Sequence, residues 1–254
     1  SIAMRKIIMM VLCHLLVILW AQHGEAARTM TVKIGRGEVA VSHIEGSAQV
    51  LSEGKDGLRP LKVNDLLKKG DEISTGPKSK MELVMPDKSQ LRFADNSRFR
   101  LVQMDAGEEQ VRDVKVHVTI GKAWANVSKS IAGKSNFELT CENAVAGVRG
   151  TVYRMNVNED KSALIKVYDG TVTVAGGAAV FTPRVPVGTP KRIAGPHTVA
   201  GPRKITMEEW TFIIRSMQQI VIRGDGTPEK PRDFTEQEDR DDWVDWNKKR
   251  DSDL

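Results

Sequence analysis

The stretch that most constrains this chain runs over residues 137–175, where two strand-like runs flank a polar break and a tight turn signal at Asp169-Gly170. Ile165, Val167, Val172 and Val174 alternate about that dipeptide, and Asp-Gly between alternating apolar residues is the strongest short-range hairpin signal. A two-residue hairpin there would set Val167 against Val172 and Ile165 against Val174, with all four side chains on one buried face. Pieces of this kind recur upstream. Val114, Val116, Val118 and Ile120 alternate strictly with Lys115, His117 and Thr119, which predicts a half-buried strand with His117 on its polar face. Short strands at 81–85, 90–93 and 98–102 are broken by the turn formers Pro86-Asp87-Lys88-Ser89 and Ala94-Asp95-Asn96-Ser97. Gly46, Gly121 and Gly170 each stand ahead of a small-residue strand, at spacings too irregular for a solenoid of fixed period. The expected fold is all-β, with many short strands in a sandwich or an irregular β-helical stack.

At 254 residues the chain needs neither a disulfide nor a metal to build a core. Its net charge of +5 is unevenly spread: residues 225–254 hold eleven acids against six bases, so the body is more basic than the total implies. A basic body could meet nucleic acid or an anionic envelope surface, and composition alone does not choose. The N-terminus does. Arg5-Lys6 precede the apolar run 7–20 and then small residues at Gly24 and Ala26, the build of a secretory signal, with cleavage expected after Ala26. The run is short for a membrane span of about 20 residues. The mature protein is therefore expected in the periplasm or outside the cell, with no nucleic-acid partner and membrane contact only through the signal or a retained anchor. Cys141 is then its only cysteine and reads as a small buried hydrophobe.

Beyond the β region (31–176), residues 177–204 are rich in Pro and Gly and suit an extended segment. Residues 206–222 place Met207, Trp210, Ile213, Ile214, Met217, Ile220 and Val221 at helical spacing behind a Thr206–Glu209 capping box, which predicts an amphipathic helix within 205–224. The stripe Trp210, Ile214 and Met217 is a candidate partner surface. Residues 225–254 are expected to be a disordered acidic tail, with Trp243 and Trp246 able to pin it to a surface.

No catalytic, metal or cofactor site is expected. Ile131-Ala132-Gly133-Lys134-Ser135 ends like a phosphate-binding loop, but Ser128 stands where its first Gly belongs and a strand pattern follows instead of a helix. Ser52-Glu53-Gly54-Lys55 has a Ser-x-x-Lys spacing in a Gly-rich turn with no helix to hold it. His43, His117 and His197 lack metal-ligand spacing. Arg149 interrupts an apolar stretch and is expected either to face solvent or to satisfy backbone carbonyls with its guanidinium.

The run Leu66-x-x-x-Gly70-Asp71-x-Ile73-x-Thr75, the meander over 87–101, the Gly121 strand, and above all Ala144-Val145-Ala146-Gly147-Val148-Arg149-Gly150-Thr151 resemble the FecR domain over roughly 39–175. The resemblance implies an all-β periplasmic module whose motif residues Gly70, Asp71, Thr75, Arg149, Gly150 and Thr151 are structural. In well-known members that module belongs to a regulator relaying a siderophore-receptor signal to a sigma factor. Only Arg5 and Lys6 precede the apolar segment as charged residues, so the cytoplasmic sigma-regulating domain is not expected here. Lys88 stands where the family often has Gly; a left-handed Lys would cost about 1–2 kcal/mol, so another turn type is expected there. The resulting expectation is a non-catalytic envelope module that binds or scaffolds another envelope protein. The alternatives are a signalling component linked to a TonB-dependent receptor and sigma factor, and, less favoured by the 5% aromatic content, a polysaccharide-binding module.

Overall fold

The computed structural model describes residues 34, 37–85, 87–106, 112–129, 136–176 and 209–254. The expected signal peptide (1–26) and the Pro/Gly-rich extension (177–204) lie outside them. The strands form two sheets that share one strand. The first sheet runs β4 (Leu66–Lys68), β1 (Glu38–Glu45), β6 (Lys80–Val84), β7 (Gln90–Phe93), β9 (Arg112–Asn126), β12 (Val152–Val157), β13 (Ala163–Asp169), β16 (Gln218–Ile222) and β17 (Arg232–Asp233). The second runs β3 (Arg59–Pro60), β2 (Ala48–Leu51), β5 (Glu72–Thr75), β8 (Arg98–Ala106), β9 again, β10 (Asn136–Thr140), β11 (Ala144–Val148), β14 (Thr171–Gly176) and β15 (Trp210–Arg215). Strand β9 serves both because Gly121, at φ 107°, bends it: the part before Gly121 pairs with β8 and β10, and the part from Gly121 on pairs with β7 and β12. The β9–β10 pairing is parallel, since the chain leaves through the first sheet and returns to the second.

The longer strands alternate, and the inward residues of both sheets make one core that includes Val41, Leu83, Phe93, Phe99, Val116, Ala125, Leu139, Tyr153, Ile165 and Val174. All-β architecture with many strands, read from the alternation, is what the structure has.

Four expectations need correction. Asp169-Gly170 is a turn, with Gly170 at φ 88°, but it is no hairpin. Strand β13 pairs with β12 and β16 in the first sheet while β14 pairs with β11 and β15 in the second. Ile165, Val167, Val172 and Val174 are fully buried because the turn carries the chain across the sandwich, so the two pairs belong to opposite walls of the core. The helix expected within 205–224 is instead strands β15 and β16, joined at Ser216-Met217, with Met217 at φ 63°. The spacing of the apolar residues fitted both periods; Ile213, Ile214, Ile220, Val221 and Ile222 are β-branched, and the open edges of β14 and β13 supply ladder partners that an isolated helix lacks. The tail is ordered as well: after β17 it runs over the first sheet and ends in helix α1 (Asp242–Ser252).

The fourth concerns Lys88, which does adopt the left-handed conformation, at φ 70°. Local bonds hold it there. The Met85 carbonyl accepts from Lys88 N at 2.9 Å, the Met85 N–H donates to Ser89 O at 2.9 Å, and Asp87 accepts from the Ser89 hydroxyl at 2.6 Å. Replacing Lys88 by Gly relieves the Cβ clash while loosening the unfolded chain. Lys88→Gly is expected to raise stability by up to about 1 kcal/mol, read as a shift of the urea midpoint at unchanged slope; a loss of stability would show that the turn is unstrained.

Candidate functional site

The motif residues carried by the FecR resemblance all sit where the chain crosses between sheets. Gly70, at φ 90°, turns β4 into β5, its N–H donating to Leu101 O at 2.8 Å, and any side chain at this position would collide with Glu53. Asp71 is buried and accepts from the Lys68 N–H at 3.0 Å. The Thr75 hydroxyl donates to Ala94 O at 2.7 Å and accepts from Ser97 N at 2.9 Å, which ties the β5 corner to the β7–β8 corner. At the other end Gly150 (φ 62°) turns β11 into β12 beside Lys129, and the Thr151 hydroxyl donates to Thr171 O at 3.1 Å. Arg149 faces solvent. Gly170 exchanges hydrogen bonds with the Ser216 hydroxyl at 3.0 and 3.2 Å, stacking the third corner on the second. Asp71, Thr75 and Thr151 spend their polar groups on the backbone, and the motif residues form no reaction centre together.

The proposed stripe Trp210, Ile214 and Met217 is not brought together as a surface. Ile214 is in the core, Trp210 packs against the core with its indole N–H donating to Gly226 O at 3.2 Å, and Met217 is the turn residue, donating to Val167 O at 2.8 Å. Cys141 is 1% exposed, and burial pushes its thiol above the usual range, so it stays protonated.

A different group of residues does converge. On the outward face of the first sheet one register row runs Glu82, Arg92, Trp124, Arg154, Lys166 and Gln219, each opposite the next across β6, β7, β9, β12, β13 and β16. Three cations thus meet one carboxylate, and none is in water: Arg92 is 0% exposed, Arg154 5%, Lys166 7% and Glu82 5%. What covers them is the C-terminal segment 234–254. Asp239, 4% exposed, pairs with Arg154 and with Lys166 at 2.8 Å and accepts the Tyr168 hydroxyl at 2.5 Å. Asp251 pairs with Arg92 at 2.6 Å and accepts the Trp124 indole N–H at 2.9 Å. Arg250 returns a cation to Glu82 at 3.0 Å, while Arg92 takes the same carboxylate at 2.6 Å.

Helical spacing explains how α1 reaches the row. Trp243, Val244, Asn247, Arg250 and Asp251 share one face, and Asp241 caps the N-terminus by accepting from Val244 N at 2.7 Å. Trp243 and Val244 pack on Ala94 and Trp124, and Trp246 stacks on Trp243 with its N–H on Glu45 at 3.1 Å. Phe234 lies under Lys166, whose ammonium is 4.5 Å from the ring centroid. Three buried polar atoms of this interface, Arg154 Nε, Gln219 Oε1 and Trp243 Nε1, have no partner among the described residues.

Sequence reasoning missed this site. Its signal was present as a polar or aromatic residue centred in each apolar strand, Met81-Glu82-Leu83, Leu91-Arg92-Phe93, Ala123-Trp124-Ala125, Tyr153-Arg154-Met155 and Ile165-Lys166-Val167. Singly, each is the outward residue of a half-buried strand.

Two outcomes follow from this geometry. Asp239→Ala removes the shared partner of two buried cations and is expected to cost about 3–5 kcal/mol in denaturant unfolding, with Asp239→Asn recovering part of it. Burial pushes the Glu82 carboxyl up, but hydrogen bonds from Arg250, Arg92 and Ser42 outweigh it and hold it at about 2 against the usual 4.5. Because the folded value is depressed, this stabilisation is complete above pH 4.5 and is lost as pH falls toward 2. Acid titration of near-ultraviolet circular dichroism from the tryptophans should show that loss, and Glu82→Gln should flatten the acid limb.

Among the described residues no helix is long and apolar enough to cross a membrane. No curated protein matches the chain. Two crystal structures, at 1.65 and 2.50 Å, of a protein from Parabacteroides distasonis ATCC 8503 described as a candidate anti-sigma factor are similar to it at 17% identity and TM-score 0.45, over 65% of this chain. The similarity spans 61% of that protein, less than two thirds of its length. The family model described as FecR protein matches residues 71–173, from the Asp71 corner to the middle of β14. The chain therefore carries a FecR domain over residues 71–173.

Proposed function

We propose that this chain is a non-catalytic module of the cell envelope that engages another envelope protein. The observation that carries the reading is the FecR domain over 71–173. The fate of its motif residues supports it: Asp71, Thr75 and Thr151 are buried and committed to backbone hydrogen bonds at the corners of a β scaffold. A domain that spends its polar motif on corners offers broad strand faces to a partner. The same domain favours a second reading, a periplasmic signalling component coupled to a TonB-dependent receptor and a sigma factor, with the mature chain acting after signal cleavage.

Chemical crosslinking in the intact envelope of cells making the full chain, followed by purification and mass spectrometry, tests both. A reproducible adduct with one envelope protein is the expected result, and a receptor or sigma-linked membrane protein in that adduct selects the second reading. Adducts with no protein, at a crosslinking yield that captures a known envelope complex in the same cells, would overturn both.

A further inference from the structure

The outward row of the first sheet is already covered by the chain's own C-terminal strap, 234–254, whereas the second sheet ends on an open backbone edge at β15. We propose that β15 (Trp210–Arg215) pairs antiparallel with β15 of a second copy of the chain about a two-fold axis, which joins the second sheets of two molecules into one.

Three observations lead there. First, β15 is the exception among the four edges of the sandwich. β3 is two residues long and holds Pro60, β17 is the exposed pair Arg232-Asp233, and β4 is three residues ending on Lys68. Shortness, proline and charge are what keep an edge from pairing. β15 runs for six residues with neither proline nor lysine, its one charge stands at its end, and among the described residues β14 is its only neighbour in the ladder. Second, the edge is apolar as well as open. Ile213 is 54% exposed on the outward face, while Trp210 and Phe212, with rings 5.9 Å apart, are only partly buried against the core. Third, the strand complements itself. A two-fold pairing that keeps both outward faces on one side, with Phe212 opposite its own counterpart, sets Thr211 against Ile213, Trp210 against Ile214 and Glu209 against Arg215, each twice. Glu209 and Arg215 are exposed and have no ion-pair partner among the described residues. Centring the pairing on Thr211 or Ile213 instead sets Glu209 against Ile213 or Arg215 against Thr211, so the charges select one register. A strand from an unrelated protein must bring matching charges of its own; a second copy carries them at both ends by symmetry. The chain's residues 177–208 are a poor source of such a strand, because Pro183, Pro186, Pro190, Pro196 and Pro202 have no N–H to give a ladder.

The test runs the full chain by sedimentation equilibrium over a range of concentrations, with far-ultraviolet circular dichroism to confirm the β signal of each variant. The wild type is expected to form a species of twice the monomer mass. Glu209→Arg and Arg215→Glu each set like charges opposite one another and are expected to weaken that dimer about tenfold. An equimolar mixture of the two single variants, in which both cross-strand pairs are again of opposite charge, is expected to regain it, as is the double reversal in one chain. Ile213→Lys, a change at an exposed position, is expected to weaken every one of these dimers. A wild type that is monomeric at every concentration overturns the pairing, as does a dimer indifferent to Ile213→Lys and to both reversals, or a mixture that associates no more tightly than its components. Amide hydrogen exchange at Thr211 and Ile213 is expected to slow as concentration rises. Full protection already present in the dilute monomer would show the chain's own segment on this edge and overturn the proposal as well.

Discussion

A strand that leaves one sheet of this sandwich for the other must turn through a corner, and every other feature of the fold depends on those corners being cheap. Gly46, Gly70, Gly121, Gly150 and Gly170 all hold positive φ at such crossings, where a side chain would be strained and would strike a neighbouring corner. The corners also stack. The Ser47 N–H meets the Ser79 hydroxyl, Gly76 N meets Ser47 O, Asn96 N meets Gly76 O, and Lys122 N meets the Ser97 hydroxyl, which bonds one end of the sandwich into a continuous ladder. Val127 N on Thr151 O, Thr151 on Thr171 and Gly170 on Ser216 do the same at the other. Thr75 and Thr151 of the FecR motif lie inside these ladders, which is why they are buried and polar without being chemical.

Once the corners set the register, alternation forces the residue between two core residues outward. Five strands do this at the same level, with Gln219 of β16 continuing the line, and the outward residues form a row richer in positive charge than any exposed ion pair requires. Isolated surface ion pairs contribute little; here the strap excludes water, so the pairings are charge-assisted bonds at low exposure, and their loss is costly. The acidic tail is therefore part of the fold's electrostatic balance. Its eleven acids look like a solvated segment only while the cations they answer are scattered along the sequence.

The comparison of sequence and structure turns on range. Val114 to Ile120 announced its strand because a period of two is a local property, and Gly170 announced a turn because positive φ is a property of one residue. Whether that turn folds back as a hairpin or crosses to the facing sheet depends on which strands flank β13 and β14, and those come from Val152–Val157, Gln218–Ile222, Ala144–Val148 and Trp210–Arg215. The segment around Ile213 and Ile220 went the same way: its apolar pattern satisfied a helix locally, and open sheet edges elsewhere in the chain resolved it as two strands. Lys88 reversed the usual order, since local bonds from Asp87 and Met85 outweighed a penalty read from a single residue type.

Strand periodicity, the glycine punctuation and the FecR pattern around Arg149-Gly150-Thr151 are written residue by residue, and they are enough to specify an all-β chain and its domain. The site is not written that way. Arg92 and Asp251 are separated by 159 positions, and Arg154 and Asp239 by 85, so no local pattern links them. Their pairing exists because folding removes each from water, and a buried charge has to find its partner wherever the chain has carried it.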